Sequence, residues 1–148
     1  MTTVLAPVAG SVIGLAAVPD PVFSGGLVGP GTAIDPRRGA AEALAPLDGT
    51  VFKVHPHAYV IVGADGRAVL VHLGIDTVRL RGEGFRVLVR EGEQVVAGRP
   101  VVAWDPAAVE AAGLSPVCPV VALEARPEAL RALAAGMVRA GEELFLWD

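Results

Sequence analysis

His55, His57 and His72 are the only histidines in a chain of 148 residues, and they fall within 18 consecutive positions. The first two stand in "VHPHAYV", and His72 interrupts the branched-aliphatic run "AVLVHLGIDTV". An imidazole brings two ring nitrogens that need hydrogen-bond partners once removed from water, so most buried strand positions take Val, Ile or Leu instead. A lone strand histidine is ordinarily a satisfied structural group, but three so close together point to chemistry. One such chemistry is metal binding, because His55-x-His57 with His72-x₃-Asp76 makes a zinc-ligand set. Another is phosphoryl transfer, in which one neutral imidazole attacks phosphorus and a second donates a hydrogen bond to the equatorial oxygens. Spacing alone does not choose between them.

The elements that must position these rings begin with "HAYVIVGADGRAVLVHLG", which reads as a hairpin turning through Asp65-Gly66, a dipeptide typical of two-residue type I′ loops. That loop sets Tyr59 opposite His72 and His57 opposite Gly74. The two histidines then become diagonal neighbours on one face, with Cα atoms about 7–8 Å apart. Gly74 is expected to leave open space beside both rings. A three-residue loop instead predicts rings on opposite faces of the hairpin.

Two internal repeats frame the hairpin. "LAPVAGSV" at 5–12 returns as "LAPLDGTV" at 44–51, and "VVAGRPVVAWD" at 95–105 returns as "VRAGEELFLWD" at 138–148, offsets of 39 and 43 residues. Each places a Gly turn before a short apolar strand. The predicted architecture is therefore mainly β, a compact antiparallel β-sandwich or barrel-sandwich hybrid built on an internal pseudo-repeat. Helices are few and short: Asp105-Pro106 with Gly113 brackets one, and Pro127 with Gly136 brackets a second over "PEALRALAA".

Composition narrows the class. The chain is 53 % hydrophobic but is broken by 18 Gly and 12 Pro, the punctuation of turns and not of a membrane span. Its length suits a single domain over 1–148 with one core. Residues 2–19 have neither the length of uninterrupted apolar sequence nor the basic flank of a signal peptide, so a cytoplasmic protein with no membrane insertion is expected. A net charge of −4 without a basic cluster argues against nucleic acid as a partner. The single cysteine, Cys118 in "SPVCPVV", excludes an internal disulfide and reads as a small buried hydrophobe.

From about Leu5 to Trp147 the chain resembles the glucose-type EIIA component of the bacterial phosphoenolpyruvate-dependent sugar phosphotransferase system. The motifs that carry the likeness are "LAPVAGSVIGL", "PDPVFSGGLVGPGTAIDP", "APLDGTV", "VREGEQVVAGRPVV" and, most specific, "VHLGIDTV" followed by "GEGF". The resemblance implies that His72 is phosphorylated and that His57 assists it. It implies as partners the histidine-containing phosphocarrier protein as donor and a cysteine in the EIIB domain of a membrane sugar permease as acceptor, with no cofactor required. Asp76, Leu70, Leu73, Val22 and Phe23 are the expected docking residues, and a monomer is expected. Incidental Zn²⁺ at His57, His72 and His55 is a further expectation. Departures from the family pattern are His55 where Thr is frequent, Leu70 and Leu73 where Phe is common, and Pro30 where some members carry Asp.

Two rival readings are weaker. Lysostaphin-type zinc peptidases place His-x₃-Asp before His-x-His, the reverse of the order here. A biotinyl-like carrier needs a lysine at a hairpin tip, and the only lysine, Lys53, belongs to a strand.

Overall fold

In the computed structural model, which describes residues 1–148, the chain begins with β1 (Thr2–Leu5), β2 (Gly10–Val12), helix α1 (Pro21–Ser24), β3 (Gly31–Pro36), β4 (Ala41–Leu44), β5 (Gly49–His55), β6 (Ala58–Val62) and β7 (Ala68–His72). It continues with β8 (Arg86–Val87), β9 (Gln94–Val95), β10 (Pro100–Trp104), helix α2 (Pro106–Ala111), β11 (Cys118–Ala122), β12 (Leu130–Arg131), β13 (Gly136–Val138) and β14 (Glu143–Trp147). All pairings are antiparallel. The largest sheet runs β13-β2-β3-β11-β7-β6-β5-β9, and two smaller sheets run β1-β14-β12 and β4-β10-β8.

The repeats are structural. Leu5 N–H donates to Pro46 O at 2.8 Å, and Leu44 N–H, 39 residues later, donates to Pro7 O at 2.9 Å. Ala6 takes Gly141 N–H at 2.8 Å and gives its own to Glu142 O at 2.7 Å; Ala45 exchanges the same pair of bonds with Gly98 and Arg99 at 2.9 and 2.8 Å. Each of these bonds in one half has its counterpart in the other, as an approximate two-fold relation requires. The glycine that opens the second strand of each unit answers to close backbone approach. A Cβ on Gly10 would lie 2.1 Å from Asp35 O, and one on Gly49 would lie 2.2 Å from Val62 O.

Apolar residues on the inward face of the large sheet, among them Val51, Ile61, Val69, Val71 and Val120, close a core of 27 buried residues against the two smaller sheets. Burying side chains of this kind contributes about 1.5–3 kcal/mol each, enough to pin the register. On the outward face a smaller cluster of Val18, Phe23, Ala33, Ile75, Val117 and Val121 lies beneath the long connection from β2 to β3.

Helix α2 forms as expected, with Asp105 Oδ1 accepting Ala107 N–H at 2.8 Å at its N-cap. The second predicted helix does not form. Pro127–Ala129 makes a single 3₁₀ turn, after which Leu130 pairs with Trp147 in β12–β14. A nine-residue helix is marginal without tertiary support, and pairing Leu130 against β14 buries it instead. Helix α1 went unforeseen, although Asp20-Pro21 is the same N-cap and first-turn pair as Asp105-Pro106, and Asp20 Oδ1 accepts Val22 N–H at 2.9 Å.

Candidate functional site

β6 and β7 pair with Ala58 opposite His72, Tyr59 opposite Val71 and Val62 opposite Ala68. The hairpin is one residue out of the predicted register. Its connection is closed by Gly63 N–H to Arg67 O at 2.9 Å, leaving residues 64–66 as a three-residue loop. Tyr59 therefore does not face His72; it is buried in the core and donates to Leu44 O at 2.7 Å. Nor does Gly74 face His57, whose carbonyl accepts Leu73 N–H at 2.7 Å. The rings converge all the same, at 5.3 Å between centroids and 73° between planes. His57 lies outside β6, in the turn of Pro56 and His57 that joins it to β5, so the alternation of the strand does not govern where its ring points.

Strand alternation does place His72. Val69 and Val71 point into the core, which turns Leu70 and His72 outward. His72 Nδ1 lies 2.5 Å from Gly74 O. A carbonyl only accepts, so Nδ1 holds the proton and the lone pair is on Nε2. The chain turns at Gly74 with φ +82°, and a Cβ there would come within 2.6 Å of Thr77 Cγ2 and 3.0 Å of Ser115 O. The space expected at Gly74 is thus already filled. Thr77 Oγ1 donates to Leu73 O at 2.8 Å and Ile75 N–H to Ser115 O at 2.8 Å, so the loop that holds His72 is itself bonded on both sides. Thr77 and Ser115 were not singled out from sequence, although "HLGIDT" contains the first of them.

Phe23 from α1 packs on His72 at 5.2 Å between ring centroids. Burial pushes the His72 imidazole below the ordinary histidine value, opposed by the bond to Gly74 and by the charges of Asp20 and Asp76. His57 is also lowered, by burial first and then by the neighbouring charges of His72 and His55. Both rings are held neutral near pH 7.

The other candidates divide. Val22 is exposed at the rim, Leu70 is half-buried against the outer cluster, and Phe23 is buried against His72. Asp76 is an exposed residue with φ +60° whose carboxylate lies 3.9 Å from Arg79 and caps nothing. Leu73 is not a docking residue. It is wholly buried in the main core, because the residue after an outward His72 points inward. Val78, on the 3₁₀ turn after Asp76, is the exposed apolar residue of this segment. Nor is the three-histidine zinc set formed. His55 stacks on the His57 ring at 5.8 Å and 24°, and nowhere do three His, Cys, Asp or Glu side chains converge to hold a metal. Cys118 is fully buried and burial pushes its thiol up, as suits a packing residue.

The fold is a β-sandwich that presents a half-buried histidine, anchored through Nδ1, beside a second imidazole. Residues 2–127 match the model of the family described as phosphoenolpyruvate-dependent sugar phosphotransferase system, EIIA 1, and the chain belongs to that family. The fold is similar to glucose permease IIA from Mycoplasma capricolum, with a TM-score of 0.89 and 32 % identity, covering 97 % of this chain and 93 % of that one. The glucose-specific EIIA component of Oceanobacillus iheyensis is 38 % identical over 121 residues, 80 % of this chain and 72 % of that protein. The glucoside-specific EIICBA component of Staphylococcus carnosus is 37 % identical over 145 residues, and this chain spans 21 % of its length. No helix is long and apolar enough to cross a membrane.

Proposed function

We propose that the chain is a phosphocarrier of a sugar phosphotransferase system, with His72 as the residue that holds the phosphoryl group. The observation that carries this is the His72 ring, locked through Nδ1 on Gly74 O and facing His57 at 5.3 Å. The Nε2 lone pair attacks the phosphorus of a donor phosphohistidine in line. The donor N–P bond breaks and returns its electron pair to the donor ring, while a new N–P bond forms on Nε2. The ring gains positive charge as this happens, and Nδ1–H on the Gly74 carbonyl stabilises that charge. An N–H of His57 donates to oxygens that become more negative in the transition state, an effect typically worth about 2.7–4 kcal/mol. A cysteine thiolate on an EIIB domain then attacks phosphorus and leaves His72 neutral again. Val22, Val78 and the edge of Leu70 supply the apolar rim that brings donor and acceptor within reach.

Incubated with phosphoenolpyruvate, the general phosphotransferase enzyme and the phosphocarrier protein, the chain is expected to gain one acid-labile, alkali-stable phosphate. His72→Ala is expected to lose it entirely, and a phosphate retained in that variant would remove His72 from the mechanism. His57→Gln is expected to accept phosphate about 10²-fold more slowly while keeping the same acceptor atom. No metal takes part in this chemistry, so EDTA is expected to leave transfer intact. Zn²⁺ in excess competes for the Nε2 lone pair and is expected to slow it. Glucose, glucoside and other sugar permeases all fit the acceptor step.

A further inference from the structure

His57 is placed by a turn, so nothing in the pleat of β6 aims its ring. Its backbone is well fixed. The carbonyl takes Leu73 N–H at 2.7 Å, and on the other side Pro56 packs against Gly82, where a Cβ would come within 3.3 Å of Pro56 Cγ. The ring is a different matter: His72 is anchored by Gly74 O, whereas the His57 ring is held by packing between two other imidazoles. His55 is the last residue of β5 and pairs across the turn with Ala58, so its own direction is set by the strand. A ring aimed by a strand lies flat on one aimed by nothing else, at 5.8 Å and 24°.

We propose that His55 is a positioning residue, whose stacked ring holds the His57 imidazole edge-on to His72 so that a His57 N–H reaches the transferring phosphoryl group. The inference rests on the phosphocarrier function above. A side chain with free χ1 and χ2 visits several rotamers, and the rate falls with the fraction of time spent in the productive one. An aromatic pair biases such an equilibrium about two- to tenfold, which sets the size of the effect. What matters is the flat face of His55 and not its nitrogens, so another planar ring is expected to serve.

The test compares His55→Ala and His55→Phe in the full chain by two measurements. One is the rate of phosphate uptake from the phosphocarrier; the other is the NMR signals of the His57 ring, read without any transfer. His55 is exposed, and neither variant is expected to shift the melting temperature. His55→Ala is expected to slow uptake about two- to tenfold and to move and broaden the His57 ring signals. His55→Phe is expected to restore both. Wild-type rates and unmoved His57 signals in His55→Ala would overturn the proposal, as would a His55→Phe variant as slow as His55→Ala. A wild-type chain that takes no phosphate would instead defeat the phosphocarrier function, and the ring signals would still decide the stacking.

Discussion

The two halves of the molecule make the same strand pair and join it in opposite ways. β2 reaches β3 through residues 13–30, eighteen positions that hold a 3₁₀ turn and α1, whereas β5 reaches β6 through Pro56 and His57 alone. The long connection lies over the outward face of the sheet, where it buries Val18 and Phe23 against β3 and β11. The short one covers nothing and leaves Phe52 and Lys53 exposed on β5. The histidines stand at the boundary, with His57 in the short turn, His72 on the strand beside it, and Phe23 reaching over from the long connection. The repeat builds the scaffold, and the site arises where the repeat is broken.

The largest expected effect asks whether the open face is open on one side only. Leu73 follows His72 directly yet is wholly buried, while Val78, five residues further on, is 61 % exposed. Leu73→Asp buries an unpaired carboxylate and is expected to cost more than about 4 kcal/mol, enough to unfold much of the protein at 37 °C. Val78→Asp is expected to leave urea unfolding unchanged and to slow phosphate acceptance about tenfold. Equal thermal stability for the two variants would erase the distinction between core and rim on which the docking surface rests.

The connections can also be altered directly. Two glycines inserted between His55 and Pro56 are expected to lower phosphate uptake about 10²-fold, because they release His57 from its turn and remove one donor from the transition state. The same pair inserted between Gly25 and Gly26 is expected to change uptake less than about threefold, since lengthening an already long loop costs only tenths of a kcal/mol in closure entropy. Melting curves with transfer rates for both insertions give the answer. If the two behave alike, the asymmetry of the connections has no part in the chemistry.

Much of this was legible in the sequence because it repeats or carries strong local signals. The echoes at 5–12 and 44–51 marked the paired units, and the aliphatic run around His72 marked a strand. Register was harder. Asp65-Gly66 is a strong two-residue turn signal, but Gly63 and Arg67 close the hairpin, with Asp65 Oδ1 accepting Arg67 N–H at 3.0 Å. Burying Tyr59, Ile61, Val69 and Val71 on one face outweighs the preference of one dipeptide. The convergence of His57 on His72 was foreseen through a pairing that does not exist. It comes about because a turn residue escapes the pleat, which no strand periodicity reports. Leu73 was misplaced for a different reason, since alternation turns the residue after an outward His72 inward whatever the register. The filling of Gly74 by Ser115 joins positions 41 apart, too far for any local pattern to show.

The smallest expected effect concerns acidity, and it tests whether the long connection tunes a nucleophile that the other half supplies. Burial is the largest cause of the lowered His72 value, and Phe23 is the ring packed on it. Because the native value lies below the ordinary 6.5, the unfolded chain takes up the proton first as pH falls. The contribution of His72 to stability is therefore complete above about pH 6.5 and is lost as pH falls through that value toward the lower native one. The Nε2 lone pair likewise persists below pH 6.5 and disappears only once the native ring protonates. Phe23→Ala uncovers the ring, admits water and is expected to move the His72 midpoint up toward 6.5, carrying the acid limb of phosphate uptake with it. NMR titration of the His72 ring protons in the wild-type chain and in Phe23→Ala measures this without any partner. A midpoint that stays in place after Phe23 is removed would mean that the sheet alone buries the nucleophile, and that the long connection serves docking and nothing else.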